Sequence, residues 1–221
     1  MNGPRCLIIV FIVFSLILVS GCTKDSGTPV HASPSPAPVL LEPLGLTLSE
    51  VPQNFTLVES RFKNSTEVGE LARALGWRNG YVVRFTRPSD GVHGPTDILQ
   101  TVTWYPAKNI PGITELIERA DRSDSSMTFS NLSSPALGSY SRAFSGTANI
   151  RIIPEPETTN QLESGHVPEI IQQDFVEIIF SKGNILEVIR MTGREPDLPI
   201  LTSMAQKAYN KIPDGNLFLP S

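Results

Sequence analysis

The first 22 residues limit everything that follows. Met1 to Arg5 holds one positive charge, Arg5, and no acid, and Leu7 to Val19 is an apolar run of 13 residues broken only by Ser15. A spanning helix needs about 20 apolar residues, whereas a run of this length behind a basic start has the proportions of a secretory signal segment. These residues are expected to take no part in a folded core, and to leave the rest of the chain on the outer side of a membrane. The run closes on Val19-Ser20-Gly21-Cys22.

An aliphatic residue, two small residues and then cysteine is similar to the lipobox of prokaryotic lipoproteins. The chemistry suits the spacing, because small side chains at Ser20 and Gly21 let extended backbone enter a peptidase cleft. The Cys22 thiol is then the nucleophile that takes a diacylglyceryl group. Cleavage between Gly21 and Cys22 would make residues 1–21 a signal peptide and Cys22 a lipidated N-terminus carrying acyl chains such as palmitate. Two acyl chains suffice for stable anchoring where one is marginal. The alternative is an uncleaved anchor helix with Cys22 incidental, and it too puts the remainder outside the cytoplasmic membrane. On the lipoprotein reading Cys6 leaves with the signal peptide and Cys22 becomes a thioether. No thiol then remains for catalysis, a disulfide or a metal site, and two cysteines are too few for a disulfide scaffold in any case.

Residues 22–43 follow as a linker. Thr23 to Pro43 has prolines at 29, 34, 36, 38 and 43 with Ser, Thr, Gly and Ala between them, and no apolar periodicity. Such a stretch favours extended polyproline-like backbone and reads as a tether. His31 lies inside it and is expected to be solvated. From residue 44 to 221 the punctuation is that of one globular domain, with no second linker and no repeat. Hydrophobic residues make up 40% of the chain, enough for a core. The net charge of −4 speaks against a nucleic-acid partner, which calls for a basic face.

Within the domain, Phe55 to Phe62 is rich in aromatic and β-branched residues and predicts a strand. Asn64-Ser65 offers cap chemistry for a helix to Leu75, with Val68, Leu71, Ala72 and Leu75 on one face and Gly76 as its stop. Tyr81 to Phe85 and Ile98 to Tyr105 predict strands. In the second, Ile98, Gln100, Val102 and Trp104 face one way and Leu99, Thr101, Thr103 and Tyr105 the other. A helix is expected from Pro111 to Arg122 on the stripe Ile113, Leu116, Ile117 and Ala120. Met127 to Phe129, Ala143-Phe144 and Ala148 to Ile153 predict short strands, and Pro154 to Pro168 a loop. Phe175 to Phe180 and Ile185 to Ile189 form a hairpin through Lys182-Gly183-Asn184, where Gly and Asn suit a tight turn. A last helix is expected from Leu198 to Ile212. Local antiparallel pairing dominates, so the fold class is α+β: a single antiparallel sheet packed with about three helices.

Three stretches carry a further resemblance: Leu48 to Phe55, Leu137 to Phe144, and Phe180-Ser181-Lys182-Gly183-Asn184. With a final helix bearing Leu201, Met204, Ala205 and Ile212, they resemble the PsbP-like fold of photosystem lumen proteins and LpqN-type actinobacterial lipoproteins. The ending is also similar to that of the extracellular sensor domain of PknH-type kinases. The proline-rich tether, the lipobox and the lack of a preceding kinase domain favour the lipoprotein side. The resemblance implies a non-enzymatic binding or assembly protein.

The residues themselves offer little catalysis. His93 and His166 sit in separate expected loops, and only convergence on a carboxylate such as Asp90 or Glu169 would make a site. Gly138-Ser139-Tyr140-Ser141-Arg142 lacks the closing glycine of a nucleophile elbow. Ser60-Arg61-Phe62-Lys63 matches S-x-x-K, but in a strand rather than on the helical face that pair needs. Asp121 and Asp124 among Ser123, Ser125 and Ser126 lack the closing Glu of a calcium loop. Trp77, Tyr81, Trp104 and Tyr105 are expected as core or cross-strand packing, or alternatively as the lining of a pocket. Asn54, Asn64 and Asn131 head glycosylation sequons, of use only in a host that glycosylates its surface. The expectation is a membrane-anchored extracytoplasmic lipoprotein of the cell envelope, without cofactor, metal or catalytic residue. It would bind an envelope protein or a small ligand. Its rivals are a ligand-binding sensor for a membrane partner and a surface hydrolase built on His93 or His166.

Overall fold

The computed structural model describes residues 40–89, 95–123, 127–152, 169–193 and 195–214. Two antiparallel meanders make one seven-stranded sheet. The first is β1 (Thr56–Phe62), β2 (Asn79–Arg87) and β3 (Thr96–Trp104). The second is β4 (Met127–Leu132), β5 (Tyr140–Ile152), β6 (Glu169–Lys182) and β7 (Ile185–Gly193), and it starts at the far edge and works inward. The order is β1-β2-β3-β7-β6-β5-β4, so the last strand of each meander meets the other at the centre of the sheet. The seam is antiparallel, with Val102 opposite Glu187 and Trp104 opposite Ile185.

Each meander is followed by a helix, and the two helices take opposite faces. The helix α2 (Ile110–Ser123) buries Ile110 and Ile113 with Phe144, Ile179 and Leu186, and Ile117 packs beside them. The helix α3 (Leu198–Lys211) buries Leu201, Met204, Ala205 and Ala208 against Ile178, Phe180, Ile189 and Met191. Strand alternation assigns these faces. Ile98, Gln100, Val102 and Trp104 are buried on the α3 side, while Leu99, Thr101, Thr103 and Tyr105 point the other way. The α3 helix starts where the sequence marks it: the Asp197 side chain accepts from the Ile200 amide at 2.9 Å and Pro199 lies in the first turn.

The α+β sheet with its helices is as expected, and three details differ. The predicted helix over 64–75 is two short pieces, a 3₁₀ turn at Ser65–Glu67 and α1 (Glu70–Ala74). The Asn64–Glu67 capping box closes the first turn, and extended backbone at Val68 and Gly69 restarts the chain. Leu71, assigned to a buried stripe, is therefore 55% exposed, although Gly76 is left-handed as expected. The short strands at 143–144 and 148–153 are one long β5. Finally, Leu41 is buried with Leu44 under α3, so the core takes in Leu41, which the sequence reading gives to the linker.

That N-terminal segment is fastened by polar groups. Gln100 accepts from the Leu46 amide at 2.6 Å and donates to the Leu44 carbonyl and, at 2.7 Å, to Glu187 Oε2. From α3, Lys211 Nζ reaches the Gly45 carbonyl at 2.6 Å and Glu50 at 2.5 Å. Burial alone would raise the Glu50 carboxyl, but Lys211 and the Thr47 amide outweigh it and hold the group below its ordinary value.

Candidate ligand-binding groove

The two sheet faces are not covered alike. On the α3 side the helix and the 41–46 segment cover the central strands, and exposed apolar residues remain on the β1 edge at Leu57 and Phe62. On the other side α2 lies toward the β4 edge, and it leaves part of β3, β7 and β6 open. The result is a groove of about 290 Å³, small beside the roughly 300–1,000 Å³ of ordinary small-molecule sites.

Its floor follows from strand register. Along β3 the upward residues are Leu99, Thr101 and Thr103, with Tyr105 just beyond the strand. Opposite them on β7 stand Arg190, Val188 and Leu186, paired with Leu99, Thr101 and Thr103 respectively. Ile117 of α2 forms one wall and Lys63 the other.

The Lys63 side is shaped by a glycine. The Lys63 amide continues the β1–β2 ladder by donating to the Gly80 carbonyl at 2.7 Å, and its alkyl stem then lies across Gly80. A Cβ at Gly80 would come within 3.2 Å of Lys63 Cδ, so the missing side chain gives the stem its path. Burial pulls the Lys63 ammonium below the ordinary lysine value; Glu67 and Glu59 oppose the shift and Arg61 adds to it. Among the described residues no hydrogen-bond partner holds Lys63 Nζ. Glu59 and Glu67 are themselves taken by Arg61, at 2.7 and 2.8 Å.

At the other end, Arg190 and Glu177 stand directly opposite each other on β7 and β6. Arg190 Nε donates to Glu177 Oε2 at 2.6 Å, and the guanidinium lies 4.8 Å from the Phe175 ring centroid. This cross-strand pair is internally neutral. On the rim, Arg84 pairs with Asp97 at 2.9 Å. Burial also pushes the Tyr105 phenol up to about 12, which leaves it a neutral donor. The site therefore sets hydroxyls, the Lys63 cation and one ion pair among Leu99, Leu186, Val188 and Ile117, an arrangement that can hold an oxygen-bearing head and an apolar body.

The residues singled out in the sequence are distributed otherwise. Tyr81 and Trp104 are core, Tyr105 lines the groove, and Trp77 packs beside the α2 cluster. Ser60 bonds the Tyr81 hydroxyl at 2.6 Å on the α3 side, whereas Lys63 lies on the groove side, so the S-x-x-K match brings no pair together. Asn54 is exposed with a positive φ. Asn64 accepts from the Thr66 amide, and Asn131 accepts from Arg122 at 2.7 Å. Gly21, Cys22, His31, His93, His166, the Asp124 loop and the 154–168 loop lie outside the described residues. Among the described residues no three His, Cys, Asp or Glu side chains gather as metal ligands, and no helix is long and apolar enough to cross a membrane. Sequence reasoning missed Lys63, Glu177 and Arg190 as a group. The signal within reach was the hydroxyl-rich outer face of β3.

The fold is similar to that of the extracellular domain of PknH from Mycobacterium tuberculosis. The match has a TM-score of 0.51 at 11% sequence identity, and covers 80% of this chain and 98% of the PknH domain. At that identity the likeness concerns the fold alone. Compared with protein-family models and with curated proteins, the sequence matches neither.

Proposed function

We propose that this chain is a lipid-anchored extracytoplasmic binding protein. Cys22 holds the membrane, the linker gives reach, and the folded unit takes a small ligand in the groove above β3 and β7. The observation that carries the reading is the groove itself, an open stretch of sheet lined by hydroxyls and by the Lys63 ammonium, which no hydrogen-bond acceptor holds among the described residues. The fold of a kinase extracellular domain supports the outward location. It also favours the variant in which ligand binding is passed on to a membrane partner. Membership of the PsbP-like, LpqN-type lipoproteins belongs to the same proposal, supported by the stretches around Leu48, Leu137 and Phe180. The domain is taken as a binder rather than an enzyme.

The test has two parts. Cys22→Ala should abolish incorporation of a labelled fatty acid and release or mislocalise the protein; persistent labelling would sink the anchor. For the groove, Val188→Trp should fill the space between Thr101 and Ile117 and remove binding of the neutral dye Nile red. Undiminished dye binding would remove the groove from the function.

A further inference from the structure

We infer that the ligand of this groove is a small amphipathic carboxylate, its head at Lys63 and the Thr103 hydroxyl and its apolar body along Val188, Leu186 and Ile117. The inference rests on the groove being the binding site and adds the chemistry of what it takes.

Charge carries the first step. The groove contains two cations and one anion. Glu177 and Arg190 pair with each other across the strands, and the Lys63 ammonium is the cation of the groove that no hydrogen-bond acceptor holds among the described residues. The acids that act on Lys63 from outside, Glu59 and Glu67, both accept hydrogen bonds from Arg61, so they offset the Lys63 charge at a distance without giving it an acceptor. A partly desolvated ammonium without a protein acceptor is satisfied by an anionic oxygen, through a charge-assisted bond stronger than a neutral one. A cationic ligand would meet repulsion there.

Valence and size narrow the class. One ammonium without an acceptor is met by one anionic head. A carboxylate carries one at neutral pH, whereas a phosphate monoester carries about 1.5–2 and would bring surplus charge into a half-buried site. Beyond the head the ligand would lie against Leu186, Val188 and Ile117, so its remainder is apolar. A volume of about 290 Å³ admits a short body rather than a long acyl chain folded on itself.

The experiment uses the full chain in detergent micelles, with micelles alone as blank. Three soluble probes share one body and differ in the head: 4-phenylbutyrate, 4-phenylbutanol and 4-phenylbutylamine. Calorimetric titration should show the acid binding about tenfold or more tighter than the alcohol, and the amine weakest. Lys63→Gln should erase the preference for acid over alcohol and leave alcohol binding in place, while Lys63→Arg should keep the preference. Val188→Trp should remove both. Equal binding of acid and alcohol, or an acid preference that survives Lys63→Gln, would overturn the carboxylate inference while leaving the groove as a site. If no probe binds, or if Val188→Trp leaves binding unchanged, the groove reading fails and the inference falls with it.

Discussion

Glu187 is the residue whose replacement tests the packing most sharply. It sits on β7 under α3, fully buried, and Gln100 donates to its Oε2 while Oε1 has no partner among the described residues. Burial pushes its carboxyl up to about 8, and the Gln100 bond and the Lys211 charge offset only part of that. The group is thus protonated in the folded chain at neutral pH. In the unfolded chain it releases its proton near 4.5. Between those values the folded state binds one more proton than the unfolded state, so stability must fall as pH rises. The slope is about 1.4 kcal/mol per pH unit, and across the whole window the loss is roughly 4–5 kcal/mol, a large share of the 5–15 kcal/mol that holds a typical domain. Below the window the contribution is complete, and above it the curve is flat again. Glu187→Gln mimics the protonated acid: it keeps an acceptor for Gln100 and cannot ionise. Urea unfolding of both proteins from pH 4 to 9 should show similar stability at pH 4–5, then a progressive gain of the variant over the parent, reaching several kcal/mol by pH 8.5. Taking the difference cancels the histidines. Parallel curves across that range would refute the burial argument, as would a variant that is less stable at every pH.

Two further substitutions probe the frame. Asp197→Ala removes the cap of α3 and should destabilise the domain by about 1 kcal/mol, read as a lower urea midpoint at unchanged slope; no change would mean that packing alone sets that helix end. Gly138→Ala should be far worse. The position is left-handed, and a Cβ there would meet the Ser181 carbonyl oxygen at 1.9 Å, so the bridge from Gly138 to β6 must open. A loss of roughly 3 kcal/mol or more is expected in thermal unfolding, and a neutral result would contradict the close approach.

What the sequence made legible follows the range of the interaction involved. The alternation of Ile98 to Tyr105 sorts residues onto two faces without knowledge of any partner, and both faces are observed. The turn at Gly183, with φ of 58°, and the stop at Gly76 are equally local. The helix at 64–75 failed because its apolar spacing was helical while the Asn64–Glu67 capping box closed a short turn and Val68 and Gly69 took extended backbone. The long β5 hid behind Ser145 and Gly146, residues of weak strand preference that pair here because β4 and β6 flank them. The groove was half legible. Its β3 floor shows in the hydroxyl pattern, but Lys63, Arg190 and Glu177 come together only through the β3–β7 seam and the edge pairing of β1. No local pattern encodes either.

The segment Leu41 to Glu50 gives the molecule a mechanical character. A pull arriving at residue 40 from the N-terminal side does not peel a loose end. It meets at once two buried leucines, the Gln100 clasp on the central strand β3, and the Lys211 bonds to the carboxy-terminal helix. These contacts are loaded together, on elements from opposite ends of the chain. Tension on the segment is therefore shared between α3 and the sheet strand that also floors the groove.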